Sequence, residues 1–172
     1  MDDLVRWLSA QLDEDALWAT EASRRYGEQA PEGGVHWCWE ATGNDEEIQP
    51  DPSKEEWVGQ VAESAVSLRS RETWPTHSVG ELPQFAIPAV DEVPSAVGGH
   101  IVRHDPARVL REIDAKRRII AEHTVTEPYA FEGETGTITY CPICLSDGKC
   151  PTLRLLALPF ADREGYREEW AP

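Results

Sequence analysis

No run in this 172-residue sequence approaches the roughly 18 consecutive apolar residues that a membrane-spanning helix needs. Positive charge is scarce: 16 Lys and Arg face 32 Asp and Glu, a formal net charge of −16. A field of that sign repels phosphate backbones and anionic lipid, which argues against direct nucleic-acid binding or membrane attachment through overall charge. It leaves docking on a basic partner, imitation of a nucleic acid, or plain solubility, the commonest use of surface acid. None of the five histidines is followed two residues later by Glu, so the His-x-Glu half of a zinc deaminase is missing. There is no glycine-rich phosphate loop in a strand-to-helix setting, and no context that marks a catalytic triad. The start, Met1-Asp2-Asp3, has acids where a signal peptide carries basic residues, so a cytoplasmic protein is expected.

What is present suits one ordinary domain. A chain this long removes roughly 70% of its surface from water on folding, so a core is attainable without staples. Apolar residues make up 40%, with seven tryptophans among them. Thirteen prolines, 12 glycines and 28% charged residues predict long irregular connections around that core.

Periodicity supplies the elements. Leu4, Val5, Leu8, Leu12 and Ala16 recur at helical spacing and predict a helix over 2–25, with Asp2 and Asp3 where the helix dipole favours negative charge and Gly27 as its stop. After a loop at 28–34, residues 35–39 are strand-like, with Trp37 and Trp39 on one face and His36 and Cys38 on the other. Residues 43–56, acidic and broken by Pro50 and Pro52, read as a loop. Residues 57–69 suit either a short helix through Val58, Val61 and Ala65 or a strand, which is favoured over 65–69, and a further strand is expected over 84–90, where Pro88 implies a sheet edge. A long helix begins at His104-Asp105-Pro106, with Asp105 as N-cap and Pro106 in the first helical position, and runs to about His123. Gly98-Gly99 argue against a continuous helix through His100 and His104. A polar stretch, 124–136, leads to an alternating run at 137–140, and a short helix from Thr152 to Leu158 ends at Pro159. The expectation is a single α+β domain over 1–172: an N-terminal helix, a small antiparallel sheet, a long central helix and a zinc-tied C-terminal segment, with 124–160 as a zinc-knuckle subregion.

The zinc expectation rests on Cys141-Pro142-Ile143-Cys144 followed by Cys150. Two residues between cysteines let one tight turn aim both sulfurs at a point about 2.3 Å away. Gly148 permits the turn that returns Cys150, Pro142 and Pro151 stiffen the approach, and Lys149 offsets thiolate charge. His123, at the end of the long helix, is the chosen fourth ligand, with Cys38 second and His100 and His104 behind it. In an unexported chain, clustered cysteines point to metal or redox chemistry before disulfides. A glutaredoxin-like use of Cys141 and Cys144 needs a helix N-terminus after the first thiol, and the residues after Cys144 read as a turn. Three cysteines with a histidine leave no open position for water, so the zinc is structural and catalytic residues are not expected.

Arg103, Arg108, Arg111, Lys116, Arg117 and Arg118 give the long helix a basic face, read first as pairing with the chain's own carboxylates and second as a phosphate contact. Tyr166 and Trp170 are expected to pack back on the domain.

Several stretches carry a resemblance: Met1 to Leu8, His104-Asp105-Pro106-Ala107-Arg108-Val109-Leu110-Arg111-Glu112, Ala115 to Ile120, Leu155 to Asp162, and Tyr166 to Trp170. They resemble a family of small actinobacterial and actinophage proteins that carries a domain-of-unknown-function label. Its tail usually has His-Pro-Asp where this chain has Arg163-Glu164-Gly165, and some relatives lack the cysteine cluster. The resemblance implies a prokaryotic cytoplasmic setting and a zinc that supports the fold in a subset of members, and it supplies no activity. The expected function is a non-enzymatic, zinc-stabilised interaction or accessory protein with a protein partner, reached through the acidic loop or the tail. The alternatives are an acidic nucleic-acid mimic and a thiol redox protein using Cys141 and Cys144.

Overall fold

The computed structural model describes residues 1–24, 34–41, 46–53, 57–58, 65–76, 80–90, 93–131, 133–144 and 149–172. In chain order the elements are α1 (Asp2–Ser23), β1 (Trp37–Ala41), β2 (Glu47–Ile48), β3 (Trp57–Val58), β4 (Val66–Ser70), β5 (Thr73–Thr76), β6 (Gly80–Pro83), β7 (Ala86–Val90), β8 (Val93–Pro94), α2 (Ser95–Arg103), α3 (Pro106–Glu122), β9 (Val125–Phe131), β10 (Glu134–Tyr140) and α4 (Pro151–Ala157). Short 3₁₀ turns follow at Leu158–Phe160 and Glu168–Trp170. The fold class is α+β, with an N-terminal helix and small antiparallel sheets. Among the described residues no helix is long and apolar enough to cross a membrane. The expected helix stop at Gly27, the loop at 28–33 and the turn glycine Gly148 lie outside the described residues.

The chain divides into two compact units, Met1–Ala16 with Arg111–Pro172, and Leu17–Leu110. The first unit is helical at its core. Leu4, Leu8 and Leu12 are buried at the i, i+4, i+8 spacing of one helix face, and Ile113, Ile120, Leu153, Ala157 and Phe160 of the same unit are also buried. The C-terminal tail belongs to the same unit and folds back on the start of α1. The Trp7 ring lies 5.6 Å from Tyr166 and 5.3 Å from Trp170, and its Nε1 donates to the Glu164 carbonyl at 3.0 Å. Arg163 adds a 2.6 Å ion pair to Asp15 and lies 4.8 Å over the Phe160 ring. The basic face of α3 is partly taken up as expected: Arg117 pairs with Asp13 at 2.5 Å and Arg118 with Asp114 at 2.6 Å.

The second unit is built on an antiparallel sheet in the order β2-β1-β4-β7, with β1 and β4 paired from Trp37↔Ser70 to Ala41↔Val66. β7, with Pro88, lies at an edge, where its missing N–H costs no ladder bond. Trp39, Val66, Leu68 and Val93 form the core, and Trp37, Phe85, Ile101 and Val102 pack against it. Trp39 Nε1 donates to the Gly98 carbonyl at 3.0 Å, which ties α2 to the sheet. Asp105 caps α3 as expected, its carboxylate accepting from the Arg108 amide at 2.8 Å.

Three segments differ from the sequence reading. The acidic stretch contains β2, paired to β1 through Trp39↔Ile48 and Glu40↔Glu47. Residues 95–103 form α2 despite Gly98-Gly99, because its core contacts outweigh the roughly 1 kcal/mol that each glycine costs relative to alanine. The polar stretch 124–136 is β9 and the start of β10, a hairpin turned at Gly133 with a φ of +89°. Two further strands, β5 and β6, pair as a hairpin that periodicity did not reveal.

Gly34 marks a close approach in the second unit. A Cβ built there would stand 2.4 Å from the Ser70 Cβ and 3.1 Å from that of Gln84. Neither is the end of a flexible side chain, so the backbone has to move. Gly34→Ala is expected to cost about 1–3 kcal/mol, read as a lower midpoint in urea unfolding, and an unchanged midpoint would contradict this close contact.

Candidate metal centre

The hairpin explains how a histidine and a cysteine 18 residues apart meet. β9 and β10 are seven residues each and pair without slippage from Phe131↔Glu134 to Val125↔Tyr140. The chain therefore enters and leaves the ribbon side by side, with His123 just before it and Cys141 just after. His123 sits where α3 stops, its amide still bonded to the Ile119 carbonyl at 3.1 Å. Residues 142–144 turn tightly, and the Cys144 amide donates to the Cys141 sulfur at 3.2 Å. Cys150 is delivered by α4, as the residue just before it, with Pro151 in the first turn. Pro151 also holds Cys150 extended, at φ −61° and ψ 114°.

The result is one compact donor set. His123, Cys141, Cys144 and Cys150 place their ligand atoms within 4.8 Å of one another. His123 Nδ1 stands 3.3 Å from the Cys141 sulfur, 3.7 Å from that of Cys144 and 3.4 Å from that of Cys150, and the Cys144 and Cys150 sulfurs are 3.5 Å apart. An ion with tetrahedral bonds of about 2.3 Å to sulfur and about 2.0 Å to nitrogen holds its donors roughly 3.5–3.8 Å apart. The observed edges bracket the lower end of that range. A disulfide needs sulfurs about 2.05 Å apart, and all four cysteines are free thiols.

Cys141 and Cys150 are buried, and Cys144 and His123 are half-buried. Burial pushes the Cys141 thiol up, but the amides of Cys144 and Ile143 and the His123 ring outweigh it and bring its pKa to about 6. Cys144 moves the other way, to about 11, through its hydrogen bond to Cys150, then burial, then Cys141. Thiols whose pKa values are driven apart in this way are sharing a crowded site.

All four residues chosen from the sequence come together here. The rivals for the fourth position do not join them. Cys38 is buried in β1, and burial, opposed by Arg69, raises its pKa, which suits a protonated core thiol. His100 and His104 stack on each other at 4.1 Å, with His104 Nδ1 bonded to the His100 carbonyl at 2.9 Å. Among the described residues, the four that group here are the four named from the sequence. Sequence reasoning missed the hairpin that closes the set, although the β-branched run Thr135, Thr137, Ile138 and Thr139 signalled one.

A family model described as a family of unknown function (DUF6221) matches residues 1–172. No curated protein and no solved structure matches the chain.

Proposed function

Because the chain belongs to this family of unknown function, membership brings no activity with it, and we propose from the donor cluster that the protein is a non-enzymatic interaction or accessory protein whose C-terminal segment is held by one structural zinc. The observation that carries this reading is the set of four donor atoms within 4.8 Å of one another. Three soft sulfur donors and an imidazole gathered within 4.8 Å of one another favour zinc over the oxygen-seeking cations. Four protein ligands fill the coordination sphere, so no vertex is left for a reacting water, and the metal's role is to fold the segment. A redox pair needs two sulfurs and has no use for a third sulfur and an imidazole 3.3–3.7 Å from all three.

The interaction role is supported by what this segment displays. In the β9–β10 register Tyr129 lies opposite Gly136, Glu127 opposite Ile138 and Phe131 opposite Glu134, so Tyr129, Phe131 and Ile138 share one face of the ribbon. All three are exposed, Phe131 at 69%. Aromatic and aliphatic side chains held out on a metal-braced ribbon suit contact with a protein partner. The resemblance supports a partner met in a prokaryotic cytoplasm, in an actinobacterium or during phage infection.

The test is native mass spectrometry of the purified chain beside Cys144→Ser, His123→Ala and Cys38→Ser. One zinc per chain is expected in the wild type and in Cys38→Ser, and its loss in the other two variants. Retention in His123→Ala would remove His123 from the donor set. Absence of metal from the wild type, with a disulfide among Cys141, Cys144 and Cys150, would replace this reading with the redox one.

A further inference from the structure

The Leu17–Leu110 unit contains a cleft of about 330 Å³ whose lining sets it apart from the rest of this acidic chain. His100, Arg103 and His104 reach it from α2 and the residue that follows, and Arg108 from the first turn of α3. No described carboxylate lines it. In a chain with twice as many acids as bases, two arginines and two of the five histidines share one small concavity.

We propose that this cleft binds a small phosphate-type dianion, either inorganic phosphate or the phosphate group of a monoester. The groups are held in place. His100 and His104 stack at 4.1 Å between ring centroids. His104 Nδ1 donates to the His100 carbonyl at 2.9 Å, so Nε2 is the nitrogen left for a ligand. The Arg108 guanidinium donates to the Arg103 carbonyl at 3.1 Å, which stations it across the α2–α3 junction. Asp105, the nearest acid in sequence, is buried and committed to the α3 cap through the Arg108 amide. Guanidinium forks match the paired oxygens of a phosphate, and beside them His104, with its Nδ1–H committed to the His100 carbonyl, adds a donor through Nε2 only as the imidazolium.

Size and charge narrow the class. About 330 Å³ lies at the small end of ligand pockets, which run from roughly 300 to 1,000 Å³. The net charge of −16 acts against a polyanion that must lie along the surface. Exposed charges more than a Debye length of about 8 Å from the cleft are screened at physiological ionic strength, so the distant surplus of acid weighs little on a single dianion there. A divalent cation is disfavoured by the two guanidiniums beside the two ring nitrogens.

Isothermal titration of the full, metal-loaded chain with inorganic phosphate at constant ionic strength tests this, in parallel with phenyl phosphate, zinc chloride and a short single-stranded DNA. Saturable binding of phosphate or phenyl phosphate is expected, and the tighter of the two identifies the free ion or the ester as the class. Arg103→Gln, at an exposed position, and His104→Gln are each expected to weaken it, the arginine change by about tenfold or more. Circular dichroism of both variants checks that they fold, and His104→Gln carries the test if Arg103→Gln does not. The proposal fails if neither phosphate probe saturates, if binding is unchanged in a folded variant, or if DNA or zinc titrates this cleft more tightly than the phosphates do.

Discussion

Stripping the chain with a strong chelator at neutral pH is expected to release one zinc and to raise amide hydrogen exchange across residues 124–160, most steeply over the β9–β10 hairpin. Under the proposed assignment the magnitudes are lopsided. A structural zinc in a thiolate and imidazole site contributes roughly 10–16 kcal/mol of apparent binding free energy, while whole domains are stable by about 5–15 kcal/mol. Little packing holds the hairpin itself. Six of the seven residues of β9 are exposed, and β10 is exposed at Glu134, Thr135, Thr137 and Ile138. An isolated two-stranded hairpin is marginal in water. Its cross-strand bond between the Thr126 and Thr139 hydroxyls, at 3.0 Å, is exposed and small against what the metal supplies. Acid acts in the same direction as the chelator, because thiolates that take up protons as pH falls no longer bind the ion. α4 loses less, since Leu153, Ala157 and Phe160 remain buried by their own packing. Exchange that stays slow from Val125 to Tyr140 after complete metal removal would show that the hairpin is stabilised by something other than the cluster.

Trp39→Ala is expected to destabilise the Leu17–Leu110 unit by about 3–5 kcal/mol, measured as the shift in the urea midpoint. Trp39 is 2% exposed at the centre of the sheet core, directly opposite Leu68 across the β1–β4 pair. Truncation leaves a cavity among Val66, Leu68 and Val93 and takes the indole donor away from the Gly98 carbonyl. Trp39→Phe separates the two effects: it keeps most of the apolar volume and loses the hydrogen bond, so a smaller cost is expected, with about 1 kcal/mol of it from the bond. Equal costs for the two variants would show that the hydrogen bond to α2 outweighs the buried ring.

The legible parts of the fold are those written in local spacing. α1 shows itself through Leu4, Leu8 and Leu12, and α3 through Asp105-Pro106 and the stripe that includes Ile113 and Ile120, because helix caps and faces depend on residues three or four apart. α4 shows itself through Pro151 and its stop before Pro159. In the central sheet β4 was legible because one face is buried and alternation survives, as in the buried Val66, Leu68 and Ser70, while β1 and β7 were legible from their residue types. β9 and the start of β10 carry no such alternation because they are largely exposed, so polarity masked them, and only the run at 137–140 showed through. α2 was hidden by two glycines whose intrinsic cost is overridden by contacts from the sheet. β2 was hidden because two residues pair only after β1 is in place beside them.

The residues by themselves determined the chemistry of the candidate metal site. A Cys-x-x-Cys turn, a third cysteine before a proline and a histidine at a helix end are short-range facts, and they selected the same four donors that the fold assembles. Only the tertiary structure brings His123, and neither Cys38 nor the His100 and His104 pair, beside the three cysteines. That choice depends on the register of a hairpin and on which unit each residue joins. It alone gathered the arginines and histidines of α2 and α3 into one cleft, since facing between two helices follows from how both pack on a core and not from the spacing within either.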